Sequence, residues 1–151
     1  QLELQLYTKP SIGDGTQSNN PWLMELPDPI SRLSWDNYIT ISPKDAESLG
    51  LENSLNARMQ LDGDTVNVTA NGVTLKDVPV FIQPGQADGS LGLALGYGKK
   101  DSGKVAETGV NAYPLFDGYN TVITNVTISK SAYIVKVVLE NGAEVSKKII
   151  Y

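Results

Sequence analysis

Thr65-Val66-Asn67-Val68-Thr69-Ala70-Asn71-Gly72-Val73-Thr74-Leu75 alternates apolar and polar residues, pauses at Asn-Gly, and alternates again. Alternation with a period of two places successive side chains on opposite faces of an extended chain, so one face is apolar and the other wet. Asn-Gly tolerates the two consecutive left-handed residues of a tight two-residue turn. The segment therefore predicts a β-hairpin, and Val78-Pro79-Val80-Phe81-Ile82 predicts that its second strand runs on. The Asp62-Gly63-Asp64 turn feeds the first strand. Upstream, Ser42-Pro43-Lys44-Asp45-Ala46-Glu47-Ser48-Leu49-Gly50 reads as the clearest helix in the chain. Ser42 can cap it, Pro43 suits the first helical position, Asp45 stands where a capping box closes, and Gly50 stops it.

The same signals recur along the chain. Leu2, Leu4 and Leu6 alternate with Glu3 and Gln5, and Tyr38-Ile39-Thr40-Ile41 reads as a short strand. Leu91, Leu93 and Leu95 mark another. Residues 121–128, 132–139 and 143–150 read as three more, with Asn141-Gly142 as a second hairpin turn. Pro21, Pro27 and Pro29 exclude a long helix or central strand between residues 18 and 29, which reads as an ordered loop with room for one short turn of helix, anchored by Trp22. Residues 51–61 read as an inserted loop with a weak helical tendency, and residues 96–109 as a long Gly-rich loop, basic at Lys99, Lys100 and Lys104. Many short strands with one short helix indicate a mainly β barrel or sandwich.

With 151 residues, of which 40% are hydrophobic and 19% charged, the chain is sized for one domain with a real core. Twelve Lys+Arg against 17 Asp+Glu give a net charge of −5, which argues against nucleic-acid phosphate as the main partner. There is no Cys and no His. That excludes disulfides, thiolate and imidazole catalysis, Cys- or His-ligated metals and iron–sulfur clusters within these residues. No apolar run is long enough to span a membrane. Without an initiator Met or a basic leader, Gln1-Leu2-Glu3 reads as the start of a piece excised from a longer protein.

Candidate chemistry is sparse. Asp62-Gly63-Asp64 fails as a calcium loop because Val73 occupies the position where the loop needs a Glu. Gly96-Tyr97-Gly98-Lys99-Lys100 is not followed by the helix that a phosphate loop opens. No pair of carboxylates is marked for acid–base work, so no catalytic and no metal-ligating residue is assigned. Trp22 and Trp35 flank the proline-rich segment and read either as a cluster pinning it to the barrel or as a docking surface for a neighbouring domain. Ser18, Asn19, Asn20 and Asn111 are either turn formers or a hydrogen-bonding rim.

Several segments occur in a family-specific order: Ser18-Asn19-Asn20-Pro21-Trp22-Leu23, Pro27-Asp28-Pro29, Trp35-Asp36-Asn37-Tyr38, the Ser42–Leu51 segment, Asp62-Gly63-Asp64-Thr65-Val66, Gln83-Pro84-Gly85-Gln86-Ala87, Leu95-Gly96-Tyr97-Gly98, and Gly109-Val110-Asn111-Ala112-Tyr113-Pro114-Leu115. Together they resemble the C-terminal molybdopterin-dinucleotide-binding domain of the molybdopterin oxidoreductases. Within that family the strings are most similar to the iron–sulfur large subunit of alternative complex III, a bacterial quinol-oxidising respiratory complex.

The resemblance covers residues 1–116 and implies a double-psi β-barrel with one or two short helices. Residues 117–151 are expected to add strands or a hairpin, or to begin the next region. In such a barrel Leu49, Val66, Val68, Val78, Val80 and Ile82 would point inward. The resemblance further implies Ser18, Asn19, Asn20, Gly109 and Asn111 as cofactor-clasping candidates. It implies no cofactor held by these residues alone, molybdopterin guanine dinucleotide as an option for the parent protein, and iron–sulfur clusters elsewhere in it. The expected function is a non-catalytic barrel serving as scaffold and docking surface in a quinol-oxidising complex. Its partners would be other domains of the same chain and subunits of a membrane-associated complex, on the exported face of a bacterial membrane. Two alternatives stand beside it: a true pterin-binding domain completing a molybdenum site, and a carbohydrate- or peptide-binding β-domain.

Overall fold

The computed structural model describes residues 1–55, 57, 61–138 and 144–150, with the strands at 132–138 and 144–150 described by their backbone alone. The elements in chain order are β1 (Leu2–Tyr7), α1 (Pro21–Glu25), β2 (Ile39–Ile41), α2 (Pro43–Leu49), β3 (Asn53–Leu55), β4 (Leu61–Gly63), β5 (Thr65–Ala70), β6 (Val73–Ile82), β7 (Ser90–Ala94), a 3-10 turn at Tyr113–Leu115, β8 (Val122–Lys130), β9 (Ala132–Val138) and β10 (Glu144–Ile150). Six strands close a barrel in the order β1-β7-β2-β6-β5-β8. The β1–β7 and β2–β6 pairs are parallel and the other four pairs are antiparallel.

The chain is thus mainly β, and alternation explains the core. Leu4 and Leu6, Ile39 and Ile41, Val66 and Val68, and Leu91 and Leu93 are all essentially inaccessible and meet inside the barrel. The central hairpin forms as its sequence predicts, with φ of 49° at Asn71 and 76° at Gly72. Between the pairs Val66↔Val78 and Val68↔Leu75, β6 carries one residue more than β5. Asp77 takes up this bulge with φ 55°, and its N–H donates to Asn67 Oδ1 at 3.2 Å. β8, which follows residue 116, closes the barrel between β1 and β5. β9 and β10 form a separate two-stranded sheet, and Asn141-Gly142 lies outside the described residues.

The helix α2 is capped as expected. Ser42 Oγ accepts from Asp45 N, and Gly50 ends the helix with φ 65°. The box closes differently, however. An Asp side chain is shorter than the Glu that usually reaches the cap's own N–H. The Asp45 carboxylate instead takes the Ser42 hydroxyl at 2.8 Å and the Gly89 N–H at 2.7 Å, which ties the helix start to the turn before β7.

Three expectations need correction. Residues 51–61 are not simply a loop: Asn53, Ser54 and Leu55 pair with Gly63, Asp62 and Leu61. The Asn53 carboxamide then fastens this small hairpin to β6 by donating to Val80 O and accepting from Ile82 N. Leu49 is 36% exposed; Ala46 is the buried residue of α2, because a helix this short presents only one narrow face, and Leu51, just past the Gly50 stop, fills the core beside it. Trp22 does not anchor the proline-rich loop, since it is 81% exposed. Asn20 caps α1 with Pro21 in its first turn, and the resulting helix directs Met24 inward, where Met24 O accepts from Trp35 N at 2.8 Å.

Candidate functional site

At one end of the barrel Asn37 ties the loop before β2 to the end of β7 and to the loop at 109–111. It follows Trp35-Asp36 just before β2, and its side chain is fully buried. Asn37 Nδ2 donates to Ala94 O at 2.9 Å and to Val110 O at 2.8 Å, while Oδ1 accepts from Val110 N at 2.8 Å. One carboxamide therefore acts as a strand between the end of β7 and the loop at 109–111.

The glycines of this end are packing devices. At Gly109, φ is 84°, and an added Cβ would lie 2.7 Å from Asn37 Oδ1 and 3.0 Å from Asp36 Oδ1. Gly15 and Gly96 approach so closely that a Cβ on Gly15 would meet the Gly96 backbone at 2.6 Å. Tyr113 Oη closes the same region by donating to Asp14 O at 2.5 Å.

Beside Asn37 lies a buried ionic cluster. Lys9 is 3% exposed, and its ammonium donates to Asp36 O at 3.3 Å. It sits 4.0 Å from the ring centroid of Tyr38 and 5.3 Å from that of Tyr97, so two aromatic faces replace part of its hydration. Burial lowers its pKa from 10.5 to about 8, against the opposing pull of the Asp28 and Asp36 charges. Burial raises the Asp36 carboxyl, whose Oδ1 has no hydrogen-bond partner among the described residues, and raises Tyr97 to about 12. For Asp28, burial is outweighed by the N–H groups of Ser31 and Ile30 and by Lys9, which together hold its carboxyl below the usual range.

The five cofactor candidates are placed in this neighbourhood, but mostly in turn and packing roles. Asn20 Oδ1 accepts from Trp22 N at 3.0 Å as the cap of α1. Asn111 Oδ1 accepts from Tyr113 N at 3.1 Å. Gly109 packs on Asn37, and Ser18 is buried at 2% exposure. Asn19 is exposed, with its carboxamide against Gly103 of the 99–108 loop. Trp22 and Trp35 lie on the outer surface with Leu26 and Ile30, respectively 81%, 37%, 51% and 75% exposed.

Neither of two surface cavities, of about 740 and 340 Å³, is lined by any of the five candidates. The larger contains the Asp62-Gly63-Asp64 turn. There Asp64 Oδ2 is committed to Glu52 N at 2.8 Å and to Lys130 Nζ at 2.9 Å. Among the described residues no cluster of three or more His, Cys, Asp or Glu is placed to hold a metal ion, and no helix is long and apolar enough to cross a membrane.

Trp35-Asp36-Asn37-Tyr38 stands out in the sequence, but no motif marks Asn37 as a fastening residue or Lys9 as a buried one. Nothing in the local pattern separates a buried Lys before Pro10 from an exposed one. Asn37 sits at the entry to a strand, where loop chemistry is the default reading. No protein-family model matches the chain, and a comparison with curated proteins finds no match either.

Proposed function

We propose that the chain is a non-catalytic scaffold and docking domain, a barrel of the double-psi type. We further propose that it works within a large subunit similar to those of the molybdopterin oxidoreductases, in a quinol-oxidising respiratory assembly. The observation that carries the reading is that Trp22, Leu26, Ile30 and Trp35, four large apolar residues of one proline-rich segment, are all exposed. Large exposed apolar side chains are what a partner surface buries. The interleaved barrel order, with its two parallel pairs, supports the double-psi assignment.

The scaffold reading is favoured over pterin binding by the commitments of the candidate residues. Asn20 and Asn111 each commit Oδ1 to a local N–H group, and Gly109 is packed against Asn37. A dinucleotide site needs such groups free to face the ligand. If the cofactor is nonetheless bound by the parent protein, Asn19 is the candidate best placed to reach it, because its carboxamide is exposed and makes no hydrogen bond among the described residues.

The test is a substitution of these side chains in the native assembly. Trp22→Ser with Ile30→Ser is expected to release this domain's neighbours while its thermal unfolding stays unchanged. Retention of every neighbour would contradict the docking role.

A further inference from the structure

On the barrel wall a groove of about 340 Å³ crosses β1, β7 and β2, sharing Asp28 and Tyr38 with the Lys9 cluster and Ile30 with the exposed proline-rich segment. That volume lies within the ~300–1,000 Å³ of small-molecule sites. Its floor is opened by Gly92 on β7. A Cβ there would collide with Thr40 Oγ1 at 2.5 Å and press on the Tyr7 ring at 3.3 Å, so both side chains reach over the strand only because the glycine leaves room. Tyr38 forms part of one wall, with its hydroxyl bonded to Ser31 Oγ. Facing it is the turn that carries Gln83 and Gln86.

The groove holds polar groups without protein partners. The Gln86 amide is fixed by geometry: Nε2 donates to Thr40 O at 3.1 Å and to Ser90 O at 2.6 Å. Its Oε1 is thereby left as an acceptor, buried and with no partner among the described residues. An acceptor left orphaned and buried in this way is destabilising. Among the described residues the hydroxyls of Tyr7 and Thr40 and the Gln83 carboxamide also make no hydrogen bond. Burial raises the Tyr7 hydroxyl, which keeps it a proton donor at neutral pH.

The charges narrow the occupant. No Lys or Arg lines the groove, so an anion has no counter-charge there. The one carboxylate, Asp28, feels the Lys9 ammonium and already accepts from Ile30 N and Ser31 N, so a cation gains little. An extended peptide adding as a strand needs a free edge, and these three strands stand inside a closed barrel. What remains is a neutral ring with an apolar face for Tyr7 and hydroxyls for the unpaired Tyr7, Thr40 and Gln83 groups, the Tyr38 ring being already covered by Lys9. We infer that this groove binds a neutral, hydroxyl-rich ring of the hexose class.

The experiment is an amide NMR titration of the full chain with glucose, galactose and mannose, with diglycine as the control. Saturable shifts at the Gly92 N–H and the Gln86 side-chain amide are expected for at least one hexose. Tyr7→Phe, which keeps the ring, should weaken that binding about tenfold, the scale of one lost hydrogen bond. Gln83→Ala, on the rim, should weaken it without touching the fold. The inference is overturned by an absence of hexose shifts at these two groups, by an unchanged affinity in Tyr7→Phe, or by diglycine saturating the same amides in place of the sugars.

Discussion

Asn37 and Val110, 73 residues apart in sequence, are joined by two hydrogen bonds of 2.8 Å, one in each direction between a side-chain amide and a backbone amide. A third bond carries the same carboxamide to Ala94 O. This is the fastening on which the loop end of the barrel depends. Asn37→Ala would leave the Val110 N–H and two carbonyls without their partner in a dry site. The expected loss is about 3–5 kcal/mol, read as a lowered urea midpoint. A loss below about 1 kcal/mol would mean that water or a neighbouring group replaces the carboxamide.

Gly109 should be intolerant for two separable reasons. Its φ of 84° strains any side chain, and a Cβ would also strike Asn37 Oδ1. Gly85, with φ 87° and nothing within 4 Å of an added Cβ, carries only the first burden. Gly85→Ala is expected to cost about 1 kcal/mol and Gly109→Ala at least about 2. Equal losses would show that Gly109 does not pack as described.

Lys9 gives the fold a pH signature. Its pKa is near 8 when folded and 10.5 as an ordinary lysine, so between these values the unfolded chain binds more protons. Stability therefore rises with pH from about 8 toward 10 as the buried amine discharges. Above about 10 the trend reverses, because Tyr7, Tyr38 and Tyr97 are raised in the folded protein and ionise first in the unfolded chain. Denaturation midpoints of the wild type and Lys9→Met across this range provide the check, and the variant should lack the rise.

The exposed apolar side chains predict a different kind of silence. Because Trp22 is 81% and Ile30 75% exposed, replacing either with Ser should move stability by no more than about 0.5 kcal/mol. Thermal scans of the two single variants measure this. A large loss would mean that these side chains support the loop rather than face a partner.

The legible part of the fold was local. Alternation at Val66 and Val68, the Asn71-Gly72 turn and the Ser42-Pro43 helix start each predict their own backbone, and the structure agrees. What escaped was set by distant groups. The pairing of Asn53–Leu55 with Leu61–Gly63 draws on bonds from Asn53 to β6, 27 and 29 residues away. Lys9 is buried by aromatic rings from two other segments, Tyr38 and Tyr97. The candidate residues named from resemblance lie in the predicted loops, but whether Asn20 and Asn111 face a ligand or their own backbone is decided by turn geometry that no motif encodes.

The scaffold reading meets its most direct test in the large subunit proposed to contain this domain. The measurement is the molybdenum and pterin content of that proposed subunit purified from its native source, together with its iron. The account predicts iron–sulfur iron without stoichiometric molybdenum or pterin. One molybdenum and a bound pterin dinucleotide per chain would contradict it.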